Sequence, residues 1–254
     1  MGEVSSYPNG VFCWIDLGTT DVQGAKSFYG GLFGWDFEDV PGYTMCRLDG
    51  KVVTGIHEHA EGEGTGWSSY ISADDVGAAT ATAQELGAEV KVQPSDVTGA
   101  ARMSVLREPS GAEVSLWQAA GFGGAQLVNE VGTWSWNELV TPDVAAAKDF
   151  YGSLFGWTSQ DVPGPTERAG FALGDLLIAG VHAPNPGEDD TPQWMVTFRV
   201  ANADRAVEKV QGQGGNVLLP PTDIPVGRFS VAADPAGAAF IIAQGDTFGT
   251  IDGS

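Results

Sequence analysis

Apolar and polar positions alternate along this chain in two rhythms, one suited to strands and one to helices, and the whole succession is played twice. Val11 to Leu17 reads as a strand, and Thr19-Thr20-Asp21 follows with short side-chain oxygens able to cap the free N–H groups of a helix start. From Val22 the apolar residues Ala25, Phe28, Tyr29, Leu32 and Phe33 recur at three and four, the stripe of an amphipathic helix, which Gly34 ends in the left-handed conformation. Two short strands, Tyr43 to Leu48 and Lys51 to His57, meet at Asp49-Gly50, a hairpin turn signal. His59 to Gly66 is a polar, glycine-rich rim loop. Then come a strand from Trp67 to Ser72, a helix from Asp74 to Leu86 stopped by Gly87, and strands at Glu89–Val92, Ala101–Arg107 and Glu113–Gln118. The order is βαβββ with a shorter, βαβββ-like second half.

The second copy is explicit. Trp14 to Trp35 and Trp136 to Trp157 match at 14 of 22 positions, 122 residues apart, and Asp39-Val40-Pro41-Gly42 recurs as Asp161-Val162-Pro163-Gly164. A repeat of this length predicts two copies of one module. They are expected to span 1–122 and 132–254, with a glycine-rich linker at 123–131. In the second, Thr133–Gly156 is the strand and helix, and Phe171–His182 is a hairpin turning at Gly174-Asp175. The loop Ala183–Pro192 forms the rim, Asn202–Gln211 the second helix, and strands near Val217, Arg228–Ala233 and Ala238–Ala243 finish the copy. The fold class is α+β, with helices on one sheet face and the other face free to form a cleft.

Composition narrows the partners. A formal charge of −21 and only 12 Lys and Arg in 254 residues repel phosphate backbones and anionic lipid, so neither nucleic acid nor a membrane surface is expected. No run of 18 apolar residues exists, and Met1 to Gly10 has neither a basic start nor an apolar core. A spanning helix and a signal peptide are therefore not expected. Cys13 and Cys46 fit no metal spacing and read as reduced thiols of a cytoplasmic protein. Two fused modules supply a pairing that single modules reach by dimerising, so a monomer or a homodimer is expected.

An apolar first strand carrying an Asp, then Phe-Tyr, Leu-Phe-Gly-Trp, and a Pro-x-Gly turn before the last strand together resemble the vicinal oxygen chelate superfamily. This superfamily includes glyoxalase I, extradiol dioxygenases and bleomycin- and fosfomycin-resistance proteins. The likeness covers nearly the whole chain, once per module, and is nearest to the tandem two-module actinobacterial branch met in antibiotic clusters. It implies that paired βαβββ units curl into half-barrels around ligand clefts. Metal-dependent members carry ligands on the first and last strands of each module; in that register stand Phe12 and Ser115, then Trp134 and Ile241. Three are apolar and a neutral hydroxyl is a weak ligand, so no metal and no other cofactor is expected.

Strand alternation places Phe12, Trp14 and Asp16 on one face, and Trp134, Trp136 and Glu138 on its counterpart. In the family register this is the cleft face, with Trp67 and Trp194 opening equivalent strands. Such walls suit a small aromatic ligand held by stacking; the alternative is that the tryptophans fill space between modules. Asp16 and Glu138 are the candidate catalytic bases, although pairing with the equivalent Arg102 and Arg228 is the favoured role. His57 and His182, also equivalent, read first as solvated strand-end residues and second, with His59 nearby, as metal ligands or general bases. The leading function is metal-free binding of an aromatic, polyketide-like molecule. A metal-independent enzyme on such a substrate comes next, and a metal-dependent glyoxalase or dioxygenase last.

Overall fold

The computed structural model describes residues 2–60, 62, 64–97 and 99–245. Glu61 and Glu63 of the first rim loop, and the end of the second module beyond 245, lie outside the described residues. The first module contains β1 (Phe12–Thr19), α1 (Val22–Phe33), β2 (Asp36–Val40), β3 (Tyr43–Leu48) and β4 (Lys51–Glu58). It continues with β5 (Gly66–Ser72), α2 (Val76–Glu85), β6 (Glu89–Val97), β7 (Ala101–Arg107) and β8 (Glu113–Ala119). The second module repeats the order as β9 (Trp134–Val140), α3 (Val144–Phe155), β10 (Thr158–Asp161), β11 (Arg168–Leu173) and β12 (Leu176–His182). Then follow β13 (Gln193–Arg199), α4 (Ala203–Gly212), β14 (Asn216–Ile224), β15 (Gly227–Ala233) and β16 (Ala239–Gln244). Both halves of each module are thus full βαβββ units. The short β2 and β10 carry almost no buried side chain, so hydrophobic patterning gave no sign of them.

Each module forms one mixed eight-stranded sheet, ordered β2-β3-β4-β1-β5-β8-β7-β6 and β10-β11-β12-β9-β13-β16-β15-β14. The sheets are not closed into barrels. The two first strands, β1 and β5, meet antiparallel at the centre, and each is flanked by the last strand of its own unit in parallel. Asp21 and Asp143 cap α1 and α3 by accepting from the N–H groups of Gly24 and Ala146. Asp49 and Gly50 both take positive φ, as a two-residue hairpin turn requires.

The helix-bearing faces of the two sheets turn toward each other, α1 beside α4 and α2 beside α3. Their contact obeys the approximate two-fold relation of the repeat. Trp35 Nε1 donates to the Gly132 carbonyl at 2.7 Å, and Trp157 Nε1 donates to Gly10 at 2.8 Å. Tyr29 hydroxyl donates to Asp234 across the junction, where Phe33 packs on Phe198 at 4.8 Å between ring centres. The core is therefore continuous through both modules. The opposite face of the first sheet forms a cleft.

Candidate functional site

The first strands carry a device that simple alternation misses. In β1 the register slips between Phe12, opposite Ile71, and Trp14, opposite Tyr70. In β9 the same slip falls between Trp134, opposite Phe198, and Trp136, opposite Thr197. A bulge of this kind inserts one residue, so side chains before and after it no longer share a face. The expectation that Phe12 and Trp134 line the clefts is corrected on this ground. Phe12 points into the module junction, 4.9 Å from Trp194 and 5.8 Å from Trp157 between ring centres. Trp134 is buried beside its own strand, its indole donating to Asn137 at 2.8 Å.

Trp194 is corrected likewise: it opens β13 on the helix face, where its indole donates to the Tyr151 hydroxyl at 2.9 Å and it packs on Phe12 of the first module. Trp67 opens β5; its indole donates to the Tyr29 hydroxyl at 3.2 Å, and the residue is also among those that line the first cleft.

What remains on the first sheet's free face is a cleft of about 760 Å³. Three central strands supply its floor in register: Trp14 from β1, Tyr70 from β5 and Ser115 from β8. Trp117, Phe122, Met45 and Met103 add apolar wall. Phe122 meets Trp14 edge-on at 4.9 Å, and Trp117 meets Tyr70 at 5.6 Å. Phe122 follows the last strand of its module, in a stretch whose lack of periodicity gave no reason to expect a cleft residue.

The polar end of the floor centres on Asp16, which is only 3% exposed. Tyr43 hydroxyl donates to its Oδ2 at 2.8 Å, and Tyr70 hydroxyl approaches both oxygens at 3.1–3.2 Å. Tyr43 oxygen in turn accepts from Trp14 Nε1 at 3.2 Å. Burial pushes the Asp16 carboxyl above the ordinary carboxylate range, against His57 and the two hydroxyls, which draw it back. Burial, and after it the Asp16 charge, raise both tyrosine hydroxyls well above their ordinary value, so they stay neutral donors.

Neither expected arginine pairing forms. Arg102 sits on β7, three strands from β1 and so about 14 Å away; its nearest acid is Asp96, at 4.0 Å. Arg228 on β15 is in the same position relative to β9 and pairs with Asp204 and Asp223, at 2.9 and 2.8 Å. The residues beside the two carboxylates are instead the histidines, because β4 and β12 run parallel to β1 and β9. His57 Nδ1 lies 3.5 Å from Asp16, and His182 Nδ1 lies 2.9 Å from Glu138.

The second module's equivalent row is Trp136, Thr197 and Ile241. Trp136 Nε1 donates to Glu138 at 2.8 Å, and His182 Nε2 reaches Glu188 of the rim loop at 3.3 Å. Burial disfavours the His182 cation, but the two flanking carboxylates outweigh it and raise the imidazole to about 9. Burial also opposes the Glu188 anion, yet His182 and the Asn185 amide bring its carboxyl down to about 2.

A metal does not fit either row. Trp14-Tyr70-Ser115 and Trp136-Thr197-Ile241 hold no imidazole, thiolate or carboxylate where adjacent central strands would converge on an ion. Among the described residues no group of three or more His, Cys, Asp or Glu is placed to hold one. Cys13 and Cys46 are free and buried, and burial pushes both thiols up. Among the described residues no helix is long and apolar enough to cross a membrane.

A sequence model of the Glyoxalase/Bleomycin resistance protein/Dioxygenase superfamily matches residues 12–116 and again 133–242. CFP32 of Mycobacterium tuberculosis (strain CDC 1551 / Oshkosh), whose name carries only a provisional glyoxylase assignment, is 40% identical over 258 residues, covering 95% of this chain and 97% of CFP32. Anthracycline biosynthesis protein DnrV of Streptomyces peucetius is 32% identical over 263 residues, 95% of each chain. Among solved structures, the Mn(II)-bound glyoxalase of Novosphingobium aromaticivorans aligns with a TM-score of 0.69 at 15% identity, over 98% of this chain and 85% of that one. Homoprotocatechuate 2,3-dioxygenase of Brevibacterium fuscum, in complex with 3,4-dihydroxyphenylacetate, aligns at 0.68 and 15%, over 100% and 86%. At such identities the structural likeness is one of fold.

Proposed function

Because the chain belongs to the glyoxalase/bleomycin resistance protein/dioxygenase superfamily, once in each module, we propose that it keeps the superfamily's cleft and uses it without a metal. The cleft holds a small, planar, polyketide-like aromatic molecule for sequestration or delivery. The observation that carries this reading is the row Trp14, Tyr70 and Ser115 on the floor of a cavity of about 760 Å³. Where a metal-dependent relative needs charged donors, this chain has an indole, a phenol and a hydroxyl. Aromatic walls with a few convergent polar groups suit stacking on a flat ligand and reading its polar edge. The kinship with DnrV, an anthracycline biosynthesis protein, supports the same ligand class.

The test is a titration of the purified chain with a planar quinone, followed by quenching of tryptophan emission and by recovery of the ligand. Saturable micromolar quenching, with the compound returned unchanged and Trp14→Ala weakening it by about 1–3 kcal/mol, is expected. Near-stoichiometric zinc, nickel, iron or manganese in the protein as isolated, or no quenching by any planar aromatic, overturns the reading.

A second reading, metal-independent turnover in the same cleft, is favoured by the buried carboxylate of Asp16, held above its ordinary range as a proton acceptor should be. A product formed in the presence of excess chelator separates it from capture.

A further inference from the structure

The polar end of the first cleft has a nitrogen left over. Asp16 is satisfied by Tyr43 and Tyr70, whose hydroxyls occupy the carboxylate oxygens. His57, from the adjacent parallel strand, has its Nδ1 shut off from solvent and 3.5 Å from Asp16 Oδ2. That is close enough for charge attraction, yet the atoms are not aligned as a hydrogen bond. The ring itself is partly open, 27% exposed at the side chain, and lines the cleft. With Nδ1 turned inward, the accessible edge of the ring is the one carrying Nε2, for which no partner is found among the described residues. Tyr43 stacks parallel on the imidazole at 5.9 Å and His59 meets it edge-on at 4.9 Å, so its orientation is fixed.

The second module makes a control within the same chain. Glu138 is one methylene longer than Asp16 and closes on His182 at 2.9 Å, while Glu188 engages the other ring nitrogen at 3.3 Å. Trp136 covers the remaining carboxylate oxygen. Both nitrogens of His182 are spent on the protein; among the described residues neither nitrogen of His57 has a hydrogen-bond partner.

We propose that His57, rather than Asp16, is the group that meets the ligand: its Nε2 accepts the proton of an acidic hydroxyl, a phenol or an enol, on the planar ring system. This rests on the reading of the cleft as an aromatic-ligand site. In the step the ligand O–H bond breaks, its electron pair stays on oxygen as phenolate or enolate, and the proton moves to Nε2. Asp16 then faces the Nδ1–H edge of the imidazolium and stabilises it, the relation by which a carboxylate orients and charges a histidine base. The groups around the ring are Asp16 from β1, Tyr43 from β3, Tyr70 from β5 and His59 beyond β4. Of these the carboxylate lies on the Nδ1 side, and the two phenols stay neutral. Among the described residues this is one site per chain, because the second module's equivalent is closed on itself.

Alizarin, a dihydroxyanthraquinone whose visible spectrum changes when its phenol ionises, is the probe, with unsubstituted anthraquinone for comparison. Bound to the full chain, alizarin is expected to take its anionic spectrum at one dye per chain. Its ionisation midpoint should fall by about one pH unit or more relative to free dye. His57→Gln is expected to weaken binding about tenfold, the fold-change linked to one pH unit of midpoint, and to return the dye bound at saturation to the neutral spectrum; His182→Gln keeps the anionic one. Anthraquinone and alizarin quenching equally, with an unshifted midpoint in the unsubstituted protein, overturns the inference alone, and does so without any variant having to fold. An anionic spectrum surviving in His57→Gln also overturns it. Quenching by neither compound removes the aromatic-cleft reading and this inference together.

Discussion

One methylene group separates the fates of two equivalent carboxylates. Glu138 closes on its histidine at 2.9 Å while Asp16 stays 3.5 Å from its own, so the Glu138 pair is the tighter. The paired site makes a pH prediction. His182 is held at about 9 against an ordinary 6.5, so its stabilisation of the rim loop is complete below 6.5 and lost as pH rises through about 9. Glu188 is held at about 2 against 4.5, so its share is complete above 4.5 and lost as pH falls through about 2. Limited proteolysis within Ala183–Pro192 is therefore expected to be slowest between about pH 4.5 and 6.5 and to quicken several-fold above pH 9. His182→Ala should abolish that dependence; a flat profile in the unsubstituted protein contradicts it. At this scale the sequence located Asp16, Glu138, His57 and His182 as equivalent pairs. It misassigned their partners, because sequence spacing does not report which strands are neighbours.

Among the elements, the helices were the most legible and the first strands the most deceptive. Gly34 and Gly156 end α1 and α3 at φ of 81° and 73°, and an added Cβ at either would meet nothing within 4 Å. Any cost of alanine there is then purely conformational. Gly34→Ala and Gly156→Ala are each expected to lower stability by about 1–2 kcal/mol and by similar amounts, measured by urea denaturation. A large difference between them would place an unseen contact at one helix end. The strands mislead because a period of two holds only while the ladder is regular. One extra residue near Cys13, and its counterpart near Ser135, sends Phe12 and Trp134 to the face opposite Trp14 and Trp136. No residue type announces such a slip; it is fixed by pairing with β5 and β13.

The molecule as a whole is held by the junction that Phe12 helps to fill. Phe12 is 1% exposed and packs on the second module's Trp157 and Trp194, while Trp35 and Trp157 exchange indole hydrogen bonds with the opposite module. Among the described residues the core is one cluster that runs through both copies. Phe12→Ala is expected to cost about 3–5 kcal/mol and to destabilise both copies together, as one urea transition seen alike by far-UV dichroism and tryptophan emission. Two separated transitions would mean that the modules fold independently.

The duplication, the α+β order and the caps were set by local chemistry, and such features can be read one segment at a time. The cleft was not local. Tyr43, Tyr70, Trp117, Phe122 and His57 come together from β3, β5, β8, the chain after it and β4. Which of the many aromatics faced the cleft and which faced the other module depended on strand order and on one bulge per copy. Those are properties of backbone pairing across the sheet, and only the folded chain decides them.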